Sequence, residues 1–366
     1  MVGDVEPGPG APVREGNAQM KKSRFWTWIT TPPIGAAIAA AIVLCTVSGC
    51  SLFDRPLGPE LQITPATETP VPTETPVPTS TPTPEPTPTE APVASGGLCG
   101  EEGSLTVLLV GEGLWEDKPL RGASAIRLVK VDFEARTVRV LALPPHLRVP
   151  TPALAEAGID ASELVFVYRD SLPLGTGSER ARMAYATNAL AQTLVDNFGL
   201  TPDNYIALAQ GTFVDTIDAL GGLSIDLPED VDGSPSGFGY FHAGQQVLDG
   251  QAVLDYVRIY PAAGDASPIE WARTARQRQV LDALRVQLDR PQTVVRLPAL
   301  IRRFYQDVVT DLSLNQVFTM ACVLQSEDVS IEQLALGPEM VTVEADETLR
   351  PKMEPVLAFL ETSFFQ

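Results

Sequence analysis

Hydrophobic and polar positions change rhythm along this chain, and the changes divide it. LTVLLVG (105–111), AIRLVKVD (125–132) and TVRVLAL (137–143) are short runs rich in β-branched residues, bounded by Gly, Glu-Ala and Pro-Pro. Such runs predict strands. LVFVY (164–168) predicts a fourth strand, and YIALA (205–209) and LSIDLP (223–228) two more. Elsewhere the apolar spacing lengthens to that of a helix. Met183, Leu190, Leu194 and Phe198 belong to a helical segment closed by Gly199, a residue suited to the left-handed backbone past a helix end. FVDTIDALGG predicts a helix between the last two strands, and helices are expected over about 250–257, 268–289, 314–324 and 348–364. Strands alternating with helices point to an α/β sheet covered by helices.

The segment IEWARTARQRQVLDAL (269–284) carries a less ordinary pattern. At about 100° per residue, Ile269, Arg273, Gln277, Val280 and Leu284 fall on one stripe, which continues through Leu281 and Leu288. An arginine thus lies in line with residues that face a core. A buried guanidinium needs an anionic partner. That partner is either a structural carboxylate, Glu270 or Asp265, or a bound anion. Arg276 stands at the edge of the same stripe, whereas Arg278 and Arg285 point away from it as solvated charges.

Ahead of the domain the pattern is of another kind. Residues 1–24 are polar and end in Lys21, Lys22 and Arg24; an apolar run follows, so that 25–50 has the layout of an export signal. It closes on Val47-Ser48-Gly49-Cys50, which resembles a lipobox, where the cysteine is diacylated and becomes the new N-terminus. An uncleaved membrane anchor is the other reading. Either way the remainder lies outside the cytoplasmic membrane. Residues 51–98 include TPATETPVPTETPVPTSTPTPEPTPTEAP. Proline at every second or third position excludes helix and sheet interior, so an extended spacer is expected, rising ~3.1 Å per residue. A reach through a cell-wall layer and a plain protease-tolerant linker both fit it, and O-glycosylation fits the Thr/Pro mixture. Residues 99–366 read as one domain, with no second composition break. Cys99 and Cys322 are its two cysteines; a bridge between them suits an oxidising compartment, and two separate thiols fit the sequence equally.

Composition narrows the chemistry. Against 46 acidic residues stand 26 basic ones, a net charge of −20. The chain has no general attraction for nucleic acid or an anionic membrane face. An anion site must be a local cluster of arginines. There are two histidines, His146 and His242, and no C-x-x-C pair, which argues against a His-rich zinc site. The two histidines are too few, and too isolated in sequence, to suggest a catalytic triad.

Several segments in fixed order carry a family resemblance. FVDTIDALGGLSIDLP (213–228), GQQVLDGQAVLDYVR (244–258) and EWARTARQRQV (270–280) follow one another as they do in the LytR–CpsA–Psr (LCP) family of cell-envelope proteins. Upstream, VLLVGEG and RGASAIRLVKVDFEARTVRVLALPPHLRV resemble that family's opening strands, and VVTDLSLNQVF a recurrent late segment. The resemblance spans about residues 104–365. It implies a three-layer α/β/α fold with a central mixed sheet and an apolar pocket for a polyprenyl chain. It further implies arginines holding the lipid's pyrophosphate, transfer of a glycopolymer from that lipid to peptidoglycan, and a magnesium ion. The matching positions are Arg121, Arg258, Arg273 and Arg276, with Glu270 where the family usually has aspartate. Converging guanidiniums suit phosphate oxygens and charge that builds up in phosphoryl transfer.

The chain also departs from the pattern. Ala123 and Gly113 replace the two aspartates expected to hold magnesium, and Glu112 is the nearest carboxylate to stand in, with Glu116 and Asp117 behind it. The family's Pro-Arg-Asp reads Pro144-Pro145-His146, and Tyr260 replaces the second arginine of an Arg-x-Arg pair. Two readings result: a divergent transferase, or a membrane-tethered module that binds a polyprenyl-phosphate lipid or wall polymer without chemistry. A structural envelope lipoprotein with an empty pocket is a third.

Overall fold

The computed structural model describes residues 53–64, 103–115, 118–156, 158–159, 161–259, 269–288, 307–326, 328–345 and 348–366. The chain divides into two compact units, Met1–Phe53 and Asp54–Gln366. The second unit carries every element named below.

Its centre is a six-stranded mixed sheet. The strands are β1 (Ser104–Trp115), β2 (Lys118–Asp132), β3 (Thr137–Leu143), β4 (Asn204–Leu208), β9 (Val309–Thr310) and β10 (Ser330–Ala335), in the order β10-β3-β2-β1-β4-β9. β2 runs antiparallel to β1 and β3, while β4 is parallel to β1 and β10 parallel to β3. Hence β1, β3, β4 and β10 share one direction and one carboxyl edge. β3 pairs with β2 only as far as Ile126, and β4 with β1 only as far as Gly111. Beyond those points β1 and β2 continue as a two-stranded arm, after a bulge between Gly111 and Glu112.

Helices cover both faces. On one side lie α2 (Leu164–Ser171), α3 (Glu179–Phe198) and the C-terminal α8 (Met353–Phe359), with a short α1 (Pro152–Glu156) in the connection before them. Ser178 caps α3 by accepting from the Ala181 amide, and Gly199 ends it at φ 66, a backbone that glycine adopts without strain. On the other side lie α6 (Ile269–Leu288) and α7 (Leu314–Leu324). Ser313 and Gln316 start α7 with a reciprocal capping box. A satellite core joins α4 (Gln210–Leu220) and α5 (Gly250–Arg258) to the ribbon of β5 (Leu223–Leu227) and β8 (Gly244–Leu248). Small pairs β6 (Val231–Asp232) with β7 (Tyr240–Phe241), and β11 (Val341–Val343) with β12 (Leu349–Pro351), complete the strands.

Three expected elements differ. LVFVY is helix, not strand: it forms most of α2 and buries Leu164, Val165, Val167 and Tyr168. A run this short satisfies helical and extended burial alike, so its period could not decide between them. LSIDLP is a strand, but it pairs with β8 in the separate ribbon. The segment 348–364 opens as β12, whose Leu349 and Pro351 pair with Val343 and Val341, and only then turns into α8 and a π turn over Leu360–Phe364.

Residues 54–64, inside the stretch whose composition suggests a spacer, lie against the domain. The Leu57 amide donates to the Leu312 carbonyl at 3.1 Å, and the Tyr205 hydroxyl to the Pro59 carbonyl at 2.8 Å. The Leu61 amide donates to Asp311 Oδ2 at 2.9 Å, and the Thr64 amide to Gln192 Oε1 at 2.7 Å. Leu61 and Ile63 pack on the main core. Gly58 passes so close that a β-carbon would sit 2.6 Å from the Thr310 carbonyl oxygen. Burial raises the Asp311 carboxyl above the usual carboxylate range, against the amide hydrogen bonds from Tyr205 and Leu61. Cys322, in α7, is disulfide-bonded. Its expected partner Cys99 lies outside the described residues, as do Cys50 and the whole of 1–50. Among the described residues, no helix is long and apolar enough to cross a membrane.

Candidate functional site at the carboxyl edge of the sheet

Open α/β sheets bind ligands outside the carboxyl ends of their parallel strands. Glu112 lies in β1 just past that edge, His146 follows β3 by three residues, and Leu336 follows β10. Both α5 and α6 are anchored close by. Gly250 opens α5 where a β-carbon would lie 2.1 Å from the Val214 carbonyl oxygen, so only glycine lets α4 and α5 approach this closely. Asp218 Oδ1 accepts from the Gly250 amide at 2.7 Å, and Asp249 caps the helix through the Ala252 amide at 2.8 Å. These contacts fix where Arg258, the last residue of α5, emerges. Its guanidinium carbon lies 5.1 Å from the Phe238 ring centroid, and a cation suits the negative end of a helix.

α6 then ties the arm to the end of α5. Arg273 is 5% exposed, and its Nη2 donates to the Ser124 carbonyl at 3.3 Å. One turn on, Arg276 donates to the carbonyl of Ile259, the residue after Arg258. Burial pulls the Arg276 guanidinium below the usual arginine value, Tyr256 partly offsets this, and the neighbouring Arg273 charge adds to the lowering. The Arg276 Nε is buried and has no hydrogen-bond partner among the described residues. Trp271 Nε1 donates to the Leu336 carbonyl at 2.8 Å and so holds the start of α6 over the end of β10.

The helical stripe of 269–284 is therefore real for Arg273 and Val280, both buried, and for half-buried Gln277 and Leu284. Leu281 departs from it and is 36% exposed, because it sits one residue, about 100°, past Val280. Arg278 and Arg285 are exposed. Tyr256 is buried, and its hydroxyl donates to Gln279 Oε1 at 2.5 Å. Arg121 lies in β2 opposite Leu114, three residues from the carbonyl that Arg273 holds. The side chains of Arg121 and Glu270 lie outside the described residues, and so do Glu116, Asp117, Asp265 and Tyr260.

Glu112 stands directly across the arm from Ala123. Directly opposed residues in an antiparallel pair project to the same face. Ala123 is fully buried in the main core, and Glu112 is 6% exposed. One carboxylate thus occupies the region where two aspartates are expected. Among the described residues no group of three His, Cys, Asp or Glu side chains is placed to hold a metal ion.

Two pairs were not legible as a site in the sequence. Arg127, 6% exposed in mid-strand, donates to Gln277 Oε1 on α6, and through Nη1 to the Ile126 carbonyl at 3.0 Å. The charge interrupting AIRLVKVD was its only signal. His146 Nδ1 lies 2.8 Å from Glu163 Oε2, and Glu163 is 6% exposed. The two are separated by 17 residues, and no period relates them.

Known proteins share this architecture. The crystal structure of B. subtilis TagV superposes with a TM-score of 0.54 at 18% identity, covering 72% of this chain and 97% of that one. The LytR-Csp2A-Psr enzyme from Actinomyces oris does so with a TM-score of 0.52 at 18% identity, over 74% and 92%. In sequence, the polyisoprenyl-teichoic acid–peptidoglycan teichoic acid transferase TagV of Bacillus subtilis (strain 168) is 26% identical over 252 residues, 64% of this chain and 58% of that protein. The match thus spans a little over half of that relative's length. The probable cell wall biosynthesis protein LcpB of Corynebacterium glutamicum is 31% identical over 125 residues, 33% of this chain and 29% of that one. The LytR_cpsA_psr family model matches residues 160–361, more than half of the chain, and the protein belongs to that family.

Proposed function

We propose that this protein binds a polyprenyl-pyrophosphate-linked glycopolymer at the carboxyl edge of its sheet and transfers the glycan phosphate to peptidoglycan. It does so while tethered to the membrane, with its domain on the extracytoplasmic side. One observation carries the reading: Arg273 and Arg276 bridge the arm and the end of α5, with an Arg276 Nε that finds no protein acceptor among the described residues. A pyrophosphate supplies acceptors for such donors, and guanidiniums match its oxygens in pairs. Arg121 and Arg258, on the flanking elements, are assigned to the same headgroup, and Glu270 to the same edge. The sheet face toward α6 supports the lipid half of the proposal. Leu109, Val129 and Val140 are only half-buried there, so apolar surface remains for a polyprenyl chain to cover. Relatives whose names describe teichoic acid transfer support the reaction class.

Magnesium is the expected ion of this chemistry. The described residues offer it Glu112, so its remaining oxygens would come from the ligand's phosphates and water. Such an ion would neutralise phosphate charge.

A second reading, a module that binds the lipid without turnover, is favoured by the burial of Ala123 in the core, which leaves no carboxylate at that position. The deciding experiment gives the purified full chain a lipid-linked glycan and a wall acceptor. Transfer supports the first reading. Binding that survives a chelator, with no product, supports the second.

A further inference from the structure

Resting on the transferase reading, we propose that His146 is the general base for the acceptor hydroxyl and that Glu163 is its positioning residue. The carboxyl edge places the pair. His146 follows β3, the strand beside β2, and the Val165 amide at the start of α2 donates to the Pro145 carbonyl at 2.8 Å. Val165 in turn touches the arm: a β-carbon on Gly122 would lie 2.8 Å from its methyl. Gly122 is the neighbour of Arg121. Two successive contacts, Pro145 to Val165 and Val165 to Gly122, thus link the residue before His146 to the strand that carries the first candidate arginine.

Its surroundings suit proton transfer. Glu163 Oε2 holds Nδ1, and the Arg148 guanidinium lies 3.7 Å from the other Glu163 oxygen. Glu344 Oε2 anchors Arg148 at 2.7 Å, while Arg350 in β12 holds Glu344 Oε1 at 2.8 Å. The Leu349 amide donates to the His146 carbonyl at 3.0 Å. From α2, Phe166 meets the imidazole edge to face at 6.3 Å between centroids, with the Arg169 guanidinium 4.0 Å over the Phe166 ring. The ring is thus fixed on several sides, and a fifth of the His146 side chain is open to solvent. A carboxylate on Nδ1 sets the tautomer in which Nε2 accepts a proton.

The step balances. The acceptor O–H gives its proton to Nε2, and the freed oxygen forms a bond to the phosphorus bearing the glycan. The bond from that phosphorus to the bridging oxygen breaks, and polyprenyl phosphate leaves with the electron pair. The proton on His146 passes to solvent.

The experiment compares wild type, His146→Gln and Glu163→Gln as full chains, measuring transfer and binding of the pyrophosphate lipid side by side. A lost general base lowers turnover by about 100-fold or more, while lipid binding stays within about twofold of wild type. Added imidazole should restore turnover to His146→Ala. Turnover at the wild-type rate in His146→Gln overturns the assignment and leaves the transferase reading standing. Lipid binding by wild type without transfer overturns the transferase reading and removes the base with it.

Discussion

Leu128 and Val129 are neighbours on β2 and look in opposite directions. Leu128 joins Leu108, Val110, Ile126, Leu141 and Leu143 on the face toward α2 and α3, where none is more than 2% exposed. Val129 joins Leu109 and Val140 on the face toward α6, where each is only half-buried. Both faces carry aliphatic residues, but the second is closed only over its α7 half, where Leu105, Val107, Val131 and Val138 are buried with Val323. The first face is a core in the ordinary sense. The second keeps apolar area within reach of Arg127 and Arg273, and greasy surface beside guanidiniums is the chemistry that recognises a lipid phosphate. On the proposed reading, residues that hold the fold are thereby separated from residues that meet the ligand, and substitutions on the two faces should part accordingly.

The largest effect is expected on the closed face. Leu128→Ala removes buried methyl groups where neighbours cannot collapse, which destabilises by about 2–5 kcal/mol. Urea denaturation measures it. A loss under about 1 kcal/mol would mean that this face is not the packed one.

Next comes the rim. Arg273→Ala should weaken binding of a pyrophosphate lipid by about 1.5–3 kcal/mol, the range for hydrogen bonds to charged groups. Titration of the purified protein with the lipid reads it directly. Unchanged affinity would remove Arg273 from the site and leave its bond to Ser124 as a purely structural tie.

Much of this was visible in the residues. β-branched runs located β1, β2 and β3, Gly199 closed α3, and the Arg273 stripe found the inward face of α6. These features are local, and their periods are long enough to read. The misplaced elements share a cause. LVFVY is too short for its period to decide, and the assignment of β5 to a ribbon instead of the sheet depends on β8, a partner that comes only after two intervening strands. The His146–Glu163 pair and the Arg127–Gln277 bond are long-range as well, created by the way the chain folds back on itself. Composition misled in the opposite sense over 54–64. Proline and polar residues there read as spacer, but backbone amides at Leu57, Leu61 and Thr64 find acceptors on the domain.

That strap gives the third prediction. Asp311→Ala removes the acceptors of the Leu61 and Tyr205 amides, at 2.9 and 2.8 Å, and should destabilise the domain by about 1–3 kcal/mol through unsatisfied buried groups. After specific proteolysis within residues 70–95, wild type should keep the fragment bearing 54–64 bound with or without reductant, and Asp311→Ala should release it. Release from the wild-type protein would return 54–64 to the role of plain tether.

The smallest effect tests the open face. Val129→Ala removes methyl groups that are only partly buried, so stability should change by about 1 kcal/mol or less, well short of Leu128→Ala one residue away. Binding should separate the two further. On the proposed reading a long polyprenyl pyrophosphate covers this face, and it should bind several-fold more weakly to Val129→Ala, since each buried methylene contributes roughly 0.8 kcal/mol. Inorganic pyrophosphate, which meets only the arginines, should bind Val129→Ala and wild type equally. Equal loss for both ligands would mean that Val129 acts by shifting the rim, and equal retention of both would mean that the lipid chain lies elsewhere.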